Sequence, residues 1–188
     1  DSVDLTKSFP IISWKPYTTT ATNDERYVFR AEITDVNKLT ITRGESGYNV
    51  DIAYQVIAFD TDDKDVHVQR GTCDIDNSGA GDAGETSDNG TVLVVPVSEV
   101  DLNKTMLFFT VEANTGCAGY ENRYMVDGRL SSSTALTFRR DTNFSSVKIT
   151  WYLVECDNMF TSSVQRNRIA GITTATSSAN LATSLWGT

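Results

Sequence analysis

The stretch Val50-Asp-Ile-Ala-Tyr-Gln-Val-Ile57 returns later in the chain as Val147-Lys-Ile-Thr-Trp-Tyr-Leu-Val154, 97 positions further on. In both stretches apolar residues occupy every second position, which is the period of a strand with one buried face. The two segments are therefore predicted to be equivalent strands. Because Tyr54 and Trp151 share the apolar phase, both are predicted to lie in the core.

The same spacing links three further pairs of segments along the chain. At 97 positions apart lie Val3-Asp-Leu-Thr-Lys7 and Val100-Asp-Leu-Asn-Lys104, Arg26–Thr34 and Arg123–Ser131, and Leu39–Arg43 and Leu136–Arg140. Val68-Gln-Arg70 recurs as Val164-Gln-Arg166, at 96 positions. A gap-free match of this length is not expected by chance, so the chain is predicted to contain an internal duplication.

Each copy is predicted to contain five short strands separated by turns rich in Gly, Asn, Asp and Ser. Turn signals about every 8–12 residues are typical of sandwiches and small barrels. The predicted fold is therefore all-β, with two tandem antiparallel β-sandwich modules. The strands are expected near 7–14, 26–33, 38–43, 49–58 and 66–73, and again near 104–111, 123–130, 135–140, 146–155 and 163–170.

The chain divides into a first module over 1–75, an acidic glycine-rich linker over 76–90 and a second module over 91–188. The apolar segment 91–97 is a further predicted strand that either closes the first module or opens the second. Either assignment leaves one module a strand short. An unpaired sheet edge accepts a strand from another chain, so polymerisation between subunits is one hypothesis.

The acidic composition bears on the partners that the chain can have. With 25 acidic and 16 basic residues, the formal net charge is −9. A surface of this sign repels a phosphate backbone, so no nucleic-acid partner is expected. The longest apolar run has the length of a strand and falls short of the roughly 20 residues of a membrane span, so no span is predicted.

The segment around 74–85 has the spacing of a calcium-binding loop. Oxygen-bearing residues occupy positions 1, 3, 5, 9 and 12, and Gly79 at position 6 permits a sharp turn. The residues are Asp74, Asp76, Ser78, Asp82 and Glu85. Calcium is therefore a candidate cofactor, and the alternative is a flexible acidic linker. A second acidic run, Asp60–Asp65, is predicted to be a solvated hairpin tip.

Little in the sequence points to catalysis. His67 is the single histidine, and its neighbours Val66 and Val68 predict that it faces outward on a strand. No nucleophile elbow, P-loop or His-Glu-x-x-His pattern occurs, so a non-enzymatic protein is expected. Cys73, Cys117 and Cys156 form no C-x-x-C pair and leave open one disulfide, in any of three pairings, or none.

Aromatic residues near the predicted turns are candidates for sugar binding, because the faces of sugar rings stack on aromatic side chains. Trp14, Tyr17 and Tyr120 lie near such turns. The alternative for each is ordinary packing at the edge of a sheet.

The order of motifs within each copy resembles repeat modules of tailed-phage virion proteins of the adhesin, fibre or head-decoration type. These motifs run from Val-Asp-Leu-x-Lys to Val-Gln-Arg and cover about 1–73 and 98–170. The strand that ends on an aromatic, at Tyr54 and Trp151, is similar to the pattern of H-type lectin sandwiches. The resemblance implies a structural subunit at a virion surface, in an extracellular assembly or on a cell surface, with copies of itself or a capsid or tail protein as partners. The alternative that it implies is a tandem carbohydrate-binding module or adhesin for a cell-surface glycan.

Calcium binding by the 74–85 loop predicts a change in thermal stability. A ligand that binds only the folded state stabilises it by about 2.7 kcal/mol at about 100 times its Kd. Calcium should therefore raise the melting temperature of protein with an intact 74–85 segment, and a chelator should lower it. An unchanged melting temperature in both conditions would remove calcium as a cofactor.

Overall fold

The computed structural model describes residues 2–17, 27–47, 49–76, 86–88, 91–113, 124–143 and 145–157. These residues form antiparallel strands and no helix, which confirms the predicted all-β fold of two sandwich-like modules. The strands are β1 (Ser8–Pro16), β2 (Arg30–Asp35), β3 (Lys38–Thr42), β4 (Val50–Ala58), β5 (Val66–Ile75), β6 (Thr86–Asp88), β7 (Val92–Pro96), β8 (Thr105–Ala113), β9 (Asp127–Ser132), β10 (Ala135–Arg139) and β11 (Val147–Cys156).

The duplication is visible in the strands themselves. β1, β2, β3 and β4 of the first copy recur as β8, β9, β10 and β11 of the second, with starting residues 97 positions apart. β2 and β9 begin four residues later than predicted. Phe29, which precedes β2, is nevertheless buried as the alternation predicts. Alternation of apolar residues indicates which side chains are buried, but it does not show where the hydrogen bonds between strands begin. The strand predicted over 163–170 lies outside the described residues.

β5, which corresponds to the predicted fifth strand of the first copy, and the strands β6 and β7 after it join the sheets of the second copy. β5 pairs with β11 in the order β5-β11-β8, and β7 pairs with β10 in the order β6-β7-β10-β9. The segment predicted over 91–97 is thus β7, next to a strand of the second copy. In the first copy the described strands form two-stranded sheets, β1-β4 and β2-β3.

Regular structure lies at both ends of the acidic segment, in which the sequence predicts a calcium-binding loop from Asp74 and a linker up to residue 90. Asp74 and Ile75 belong to β5, and β6 pairs with β7 from Thr86 opposite Val94 to Asp88 opposite Val92. The loop prediction is wrong for these residues. β6 is a short polar strand held by its neighbour, so no apolar alternation marks it in the sequence.

β11 is buried on both faces. Val147, Ile149, Trp151 and Leu153 belong to the larger core cluster, together with residues of the β7-β10-β9 side such as Leu93 and Phe138. Tyr152, Val154 and Cys156 belong to a second cluster with Phe9, Val66 and Val68. Since both copies contribute to the second cluster, β11 lies between two packed layers. The core position predicted for Trp151, which is 7% exposed, is confirmed.

Side chains associated with the second copy's sheet cap the edge of β2 that faces away from β3. The Thr110 hydroxyl accepts a hydrogen bond from Ala31 N at 2.9 Å and donates to Ala31 O at 3.3 Å. The Tyr152 hydroxyl accepts from Ile33 N at 3.0 Å, and Arg70 Nη1 donates to Ile33 O at 2.6 Å. The backbone groups of this edge are therefore satisfied without another strand.

An ion-pair network fixes the β2-β3 hairpin on β8. Arg30 donates from Nε to Glu112 Oε2 at 2.9 Å and from Nη1 to Glu32 Oε2 at 2.7 Å. Thr42 Oγ1 donates to the same Glu112 oxygen at 2.8 Å. Partial burial opposes the charge of Arg30, but the hydrogen bonds to the two carboxylates outweigh it and raise the pKa of the guanidinium.

The repeated Val-Asp-Leu-x-Lys motif forms the same aspartate-stabilised turn before β1 and β8. Asp4 Oδ1 accepts a hydrogen bond from Thr6 N at 2.8 Å, and Asp101 Oδ1 accepts from Asn103 N at 2.8 Å. Asp4 also accepts from the Thr6 hydroxyl, and these bonds lower the pKa of Asp4. The motif therefore serves the entry of a strand in both copies.

Removing the hydroxyl that caps β2 should destabilise the protein. In Tyr152→Phe the buried Ile33 N–H loses its acceptor, which should lower the free energy of unfolding by about 1–3 kcal/mol in denaturant titrations. Tyr54→Phe is the matched control, because Tyr54 is 63% exposed. An equal effect of both substitutions would contradict the capping role.

The difference in stability between wild type and Tyr152→Phe should depend on pH. Burial raises the pKa of Tyr152, so its contribution to stability is fully present below the unfolded tyrosine pKa of about 10 and is lost as the pH rises through the folded pKa. The stability difference between wild type and Tyr152→Phe should therefore shrink above about pH 10.

Candidate interaction edge

In the described part of the chain, two strands of the first copy lack neighbours that their counterparts have. β11 pairs with β8 along one edge and with β5 along the other, whereas β4 pairs only with β1. β10 likewise lies between β9 and β7, whereas β3 pairs only with β2. If β5, β6 and β7 are set aside, the sheets of the second copy have the same strand order as those of the first.

The register of β5 on β11 identifies the positions on β4 that lack an opposing strand. Val68 lies opposite Val154, Gly71 opposite Trp151 and Cys73 opposite Ile149. By the repeat spacing of 97, the β4 counterparts of these β11 residues are Ile57, Tyr54 and Ile52. No described strand lies beside β4 at these positions.

Burial differs sharply between the matching residues of β4 and β11. Trp151 is 7% exposed, whereas Tyr54 at the equivalent position is 63% exposed, so the core position predicted for Tyr54 is wrong. The Trp151 ring lies across Gly71 of β5, where an added Cβ would come within 2.6 Å of the ring. The first copy has no described strand in that place, and Tyr54 is left uncovered.

A cleft of about 560 Å³ lies between β3 and β4. Ile41, Val50 and Ile52 line it, and their second-copy counterparts Phe138, Val147 and Ile149 are 0% exposed. The cleft of the first copy therefore corresponds to the closed core of the second. Its remaining lining residues are Tyr17, Phe29, Arg43, Asn49 and Asp51.

Two of the aromatic residues proposed for sugar binding, Trp14 and Tyr17, line different clefts. Trp14 lies on β1, is 43% exposed and has its ring centroid 5.6 Å from that of Phe29. It lines a second, more apolar cleft of about 450 Å³ that includes Phe109 and Met125. Phe29 lines both clefts. Tyr120 lies outside the described residues.

Tyr17 lies directly after β1, beside the first cleft. It is 67% exposed, and its hydroxyl donates to Asp51 Oδ1 at 3.0 Å. This hydrogen bond to a carboxylate raises the pKa of Tyr17. An aromatic ring and a carboxylate therefore lie together at the mouth of the cleft.

The candidate calcium ligands are described only in part. Asp74 lies on β5 opposite Lys148, and the carbonyl of Asp76 accepts a hydrogen bond from Arg140 Nη2 at 3.1 Å. Ser78, Asp82 and Glu85 lie outside the described residues, so the calcium site stays a prediction. Among the residues that the structure describes, no group of three or more His, Cys, Asp or Glu side chains could hold a metal ion.

The second acidic run is an exposed turn, as predicted, but it is not a hairpin tip, because β4 before it pairs with β1 and β5 after it pairs with β11. Asp60 and Asp62 are exposed, and Asp62 N donates to Asp60 Oδ1 at 3.1 Å. Asp65 N donates similarly to Asp63 Oδ1 at 2.9 Å. These carboxylates thus bind the backbone of their own turn.

The two described cysteines are buried, whereas the single histidine is exposed. Cys156 has a buried free thiol whose pKa burial raises, while Cys73 is buried in the other core cluster. Cys117 lies outside the described residues, and its pairing stays open. His67 is exposed between buried Val66 and Val68, which confirms its predicted outward position.

Comparison with known proteins does not place the chain in a group. No family model matches it, and neither a curated protein nor a solved structure does. In the described ranges, no helix is long and apolar enough to cross a membrane. Within the described part of the chain, the unpaired edge of β4 and the cleft beside it distinguish the first copy from the second.

Because Trp151 is buried and the equivalent Tyr54 is exposed, substitutions at these two positions should affect stability differently. Trp151→Ala should lower the free energy of unfolding by about 3–5 kcal/mol, since it leaves a cavity in the core. Tyr54→Ala should change it by less than about 0.5 kcal/mol in dilute protein, since this side chain is exposed. Equal losses in denaturant titrations would mean that β4 is covered in solution.

Proposed function

We propose that the protein is a non-enzymatic structural subunit of a virion-surface or other extracellular assembly, such as a decoration, fibre or filament component. Its partners are copies of itself or a capsid or tail protein. The observation that carries the proposal is the contrast between the two copies. In the described residues, β4 and β3 each have one neighbour where β11 and β10 have two.

An open strand edge is a strong acceptor for another strand. Its outward N–H and C=O groups bond to an added backbone, and pockets beside the edge give specificity. Natural proteins usually guard such edges with Lys, Pro, bulges or a short strand. β4 is nine residues long, contains neither Lys nor Pro, and pairs with β1 without a register shift. These properties suit an edge that is used for assembly.

The apolar surface beside this edge supports the same proposal. Tyr54 is 63% exposed, and the cleft between β3 and β4 includes Ile41, Val50 and Ile52. An added layer would bury these side chains as their counterparts are buried in the second copy, which contributes about 25 cal/mol per Å² of apolar surface removed from water. Backbone pairing and apolar burial would therefore act together.

A second candidate function, glycan binding by an adhesin, is favoured by the composition of the same cleft. Tyr17 supplies an exposed aromatic ring, and Arg43, Asn49 and Asp51 supply polar groups. Sugar sites combine a stacking surface with a few polar groups that fix orientation. Because a glycan and an added strand would occupy overlapping surface, the two functions make opposite predictions for a monomer.

Sedimentation of the full chain tests the proposed function. We expect the mean mass to rise with concentration, as subunits associate through the open edge, and we expect no binding on a glycan array. A monodisperse monomer at every concentration would contradict the assembly function.

A monomer that binds a glycan would favour the adhesin instead. Tyr17→Ala should then weaken glycan binding by about tenfold, equivalent to about 1.4 kcal/mol. Met125→Ala is the control, since Met125 is 63% exposed but does not line this cleft.

A further inference from the structure

We propose that residues 162–171 of one chain pair with β4 in the first copy of a second chain, so that chains join head to tail. The inference rests on the proposed function and names its contact. It follows from the position of β5. This strand comes directly after β1–β4 of the first copy in the sequence, but it pairs with β11 in a sheet of the second copy. The fifth strand of one repeat thus serves the next repeat.

The sequence identifies the counterpart of β5, the segment that follows the four repeated strands of the second copy. Val164-Gln-Arg166 repeats Val68-Gln-Arg70, which lies within β5, at a spacing of 96. Carrying the whole of β5 forward by this spacing gives residues 162–171. The acceptor that matches it is a sheet of the repeated type with a free edge, and in the described structure that sheet is β1-β4.

The register of β5 on β11 can be carried over to the proposed contact. The observed pair Val68–Val154 corresponds to a proposed pair of Val164 with Ile57. Cys73 opposite Ile149 becomes Ile169 opposite Ile52. Both carried-over pairs are apolar, as cross-strand pairs in a buried sheet should be.

The donor segment also carries charges that suit the acceptor chain. At the position of Gly71 opposite Trp151, the proposed contact has Asn167 opposite Tyr54, so a larger donor residue lies opposite a smaller aromatic side chain. Arg166 and Arg168 give the donor segment two positive charges, whereas the chain has a net charge of −9 and β4 itself carries Asp51. The donor is therefore electrostatically suited to the acceptor chain.

The contact is heterologous, because the donor and the acceptor are different parts of the chain. Each subunit would offer one donor segment and one acceptor edge. Such contacts generate rings when the rotation between subunits closes, and open filaments when it does not. Assembly would bury Tyr54 and Ile52 as the second copy buries Trp151 and Ile149.

Disulfide trapping in the full chain tests the proposed register. Ile52→Cys is placed in one chain and Ile169→Cys in a second chain of different tagged mass, and the two are mixed under mild oxidation. We expect a cross-link between the two tagged chains. Ile52→Cys mixed with Ser178→Cys is the control for chance contact and should give at most a trace of the linked species.

A second variant tests the donor without cross-linking. Ile169→Pro removes a backbone donor in the proposed strand and should weaken self-association by at least about tenfold in sedimentation experiments, because proline disrupts strand pairing. Ser178→Pro, placed outside the proposed strand, should leave the association unchanged.

The outcomes separate this contact from the proposed function. Assembly that survives Ile169→Pro, with no 52–169 cross-link, overturns the donor segment but leaves a structural subunit that assembles by another surface. A cross-link only within the Ile52→Cys/Ile169→Cys double variant, and never between mixed chains, means that the chain closes its own edge and also overturns the proposal. Absence of any association overturns both.

Discussion

Backbone groups at the edge of a sheet need partners, and the structure depends on how this need is met along β11. β11 pairs with β8 and with β5 over nearly its whole length, and it is buried on both faces. In an interior strand of this kind, the backbone groups are hydrogen-bonded along both edges and the apolar side chains are shielded from water on both faces. The larger core cluster forms on one face of this sheet, and the smaller cluster, to which both copies contribute, forms on the other.

β4 has the same sequence pattern, but among the described strands it pairs only with β1. It has the same phase as β11 and pairs with β1 as β11 pairs with the equivalent strand β8, yet Tyr54 and Ile52 stay accessible where Trp151 and Ile149 are buried. The difference lies in the strands around it. The first copy is held instead by its contacts with the second, through the capped edge of β2 and the Arg30–Glu112 ion pair. The two copies are therefore similar in sequence, but the described sheets of the first copy contain fewer strands than those of the second.

Much of the fold follows from the sequence, because the duplication lets each strand be identified twice. The alternation of Phe29, Ala31 and Ile33 correctly predicts their burial. The exposure of Tyr54 could not be predicted in this way, since burial at the equivalent position, Trp151, depends on β5, a strand from elsewhere in the sequence. β6 could not be predicted because its three polar residues carry no periodic signal.

The candidate site was only partly visible in the sequence. The unsettled position of the 91–97 strand indicated that one module would be a strand short. Nothing local showed that β5 would also cross to the second copy, because pairing between strands distant in sequence is set by the tertiary fold. The aromatic pattern located Tyr17 and Trp14 near the clefts, but it could not show that they open into different ones.

Hydrogen exchange along β4 and β11 tests the central claim, that the first copy presents an open edge which assembly closes. In dilute monomer, the β4 amides that point away from β1 should exchange much faster than the matching amides of β11, and assembly should slow them to a similar rate. Equal protection of the two strands in the monomer, or no added protection of β4 in the assembly, would contradict the account.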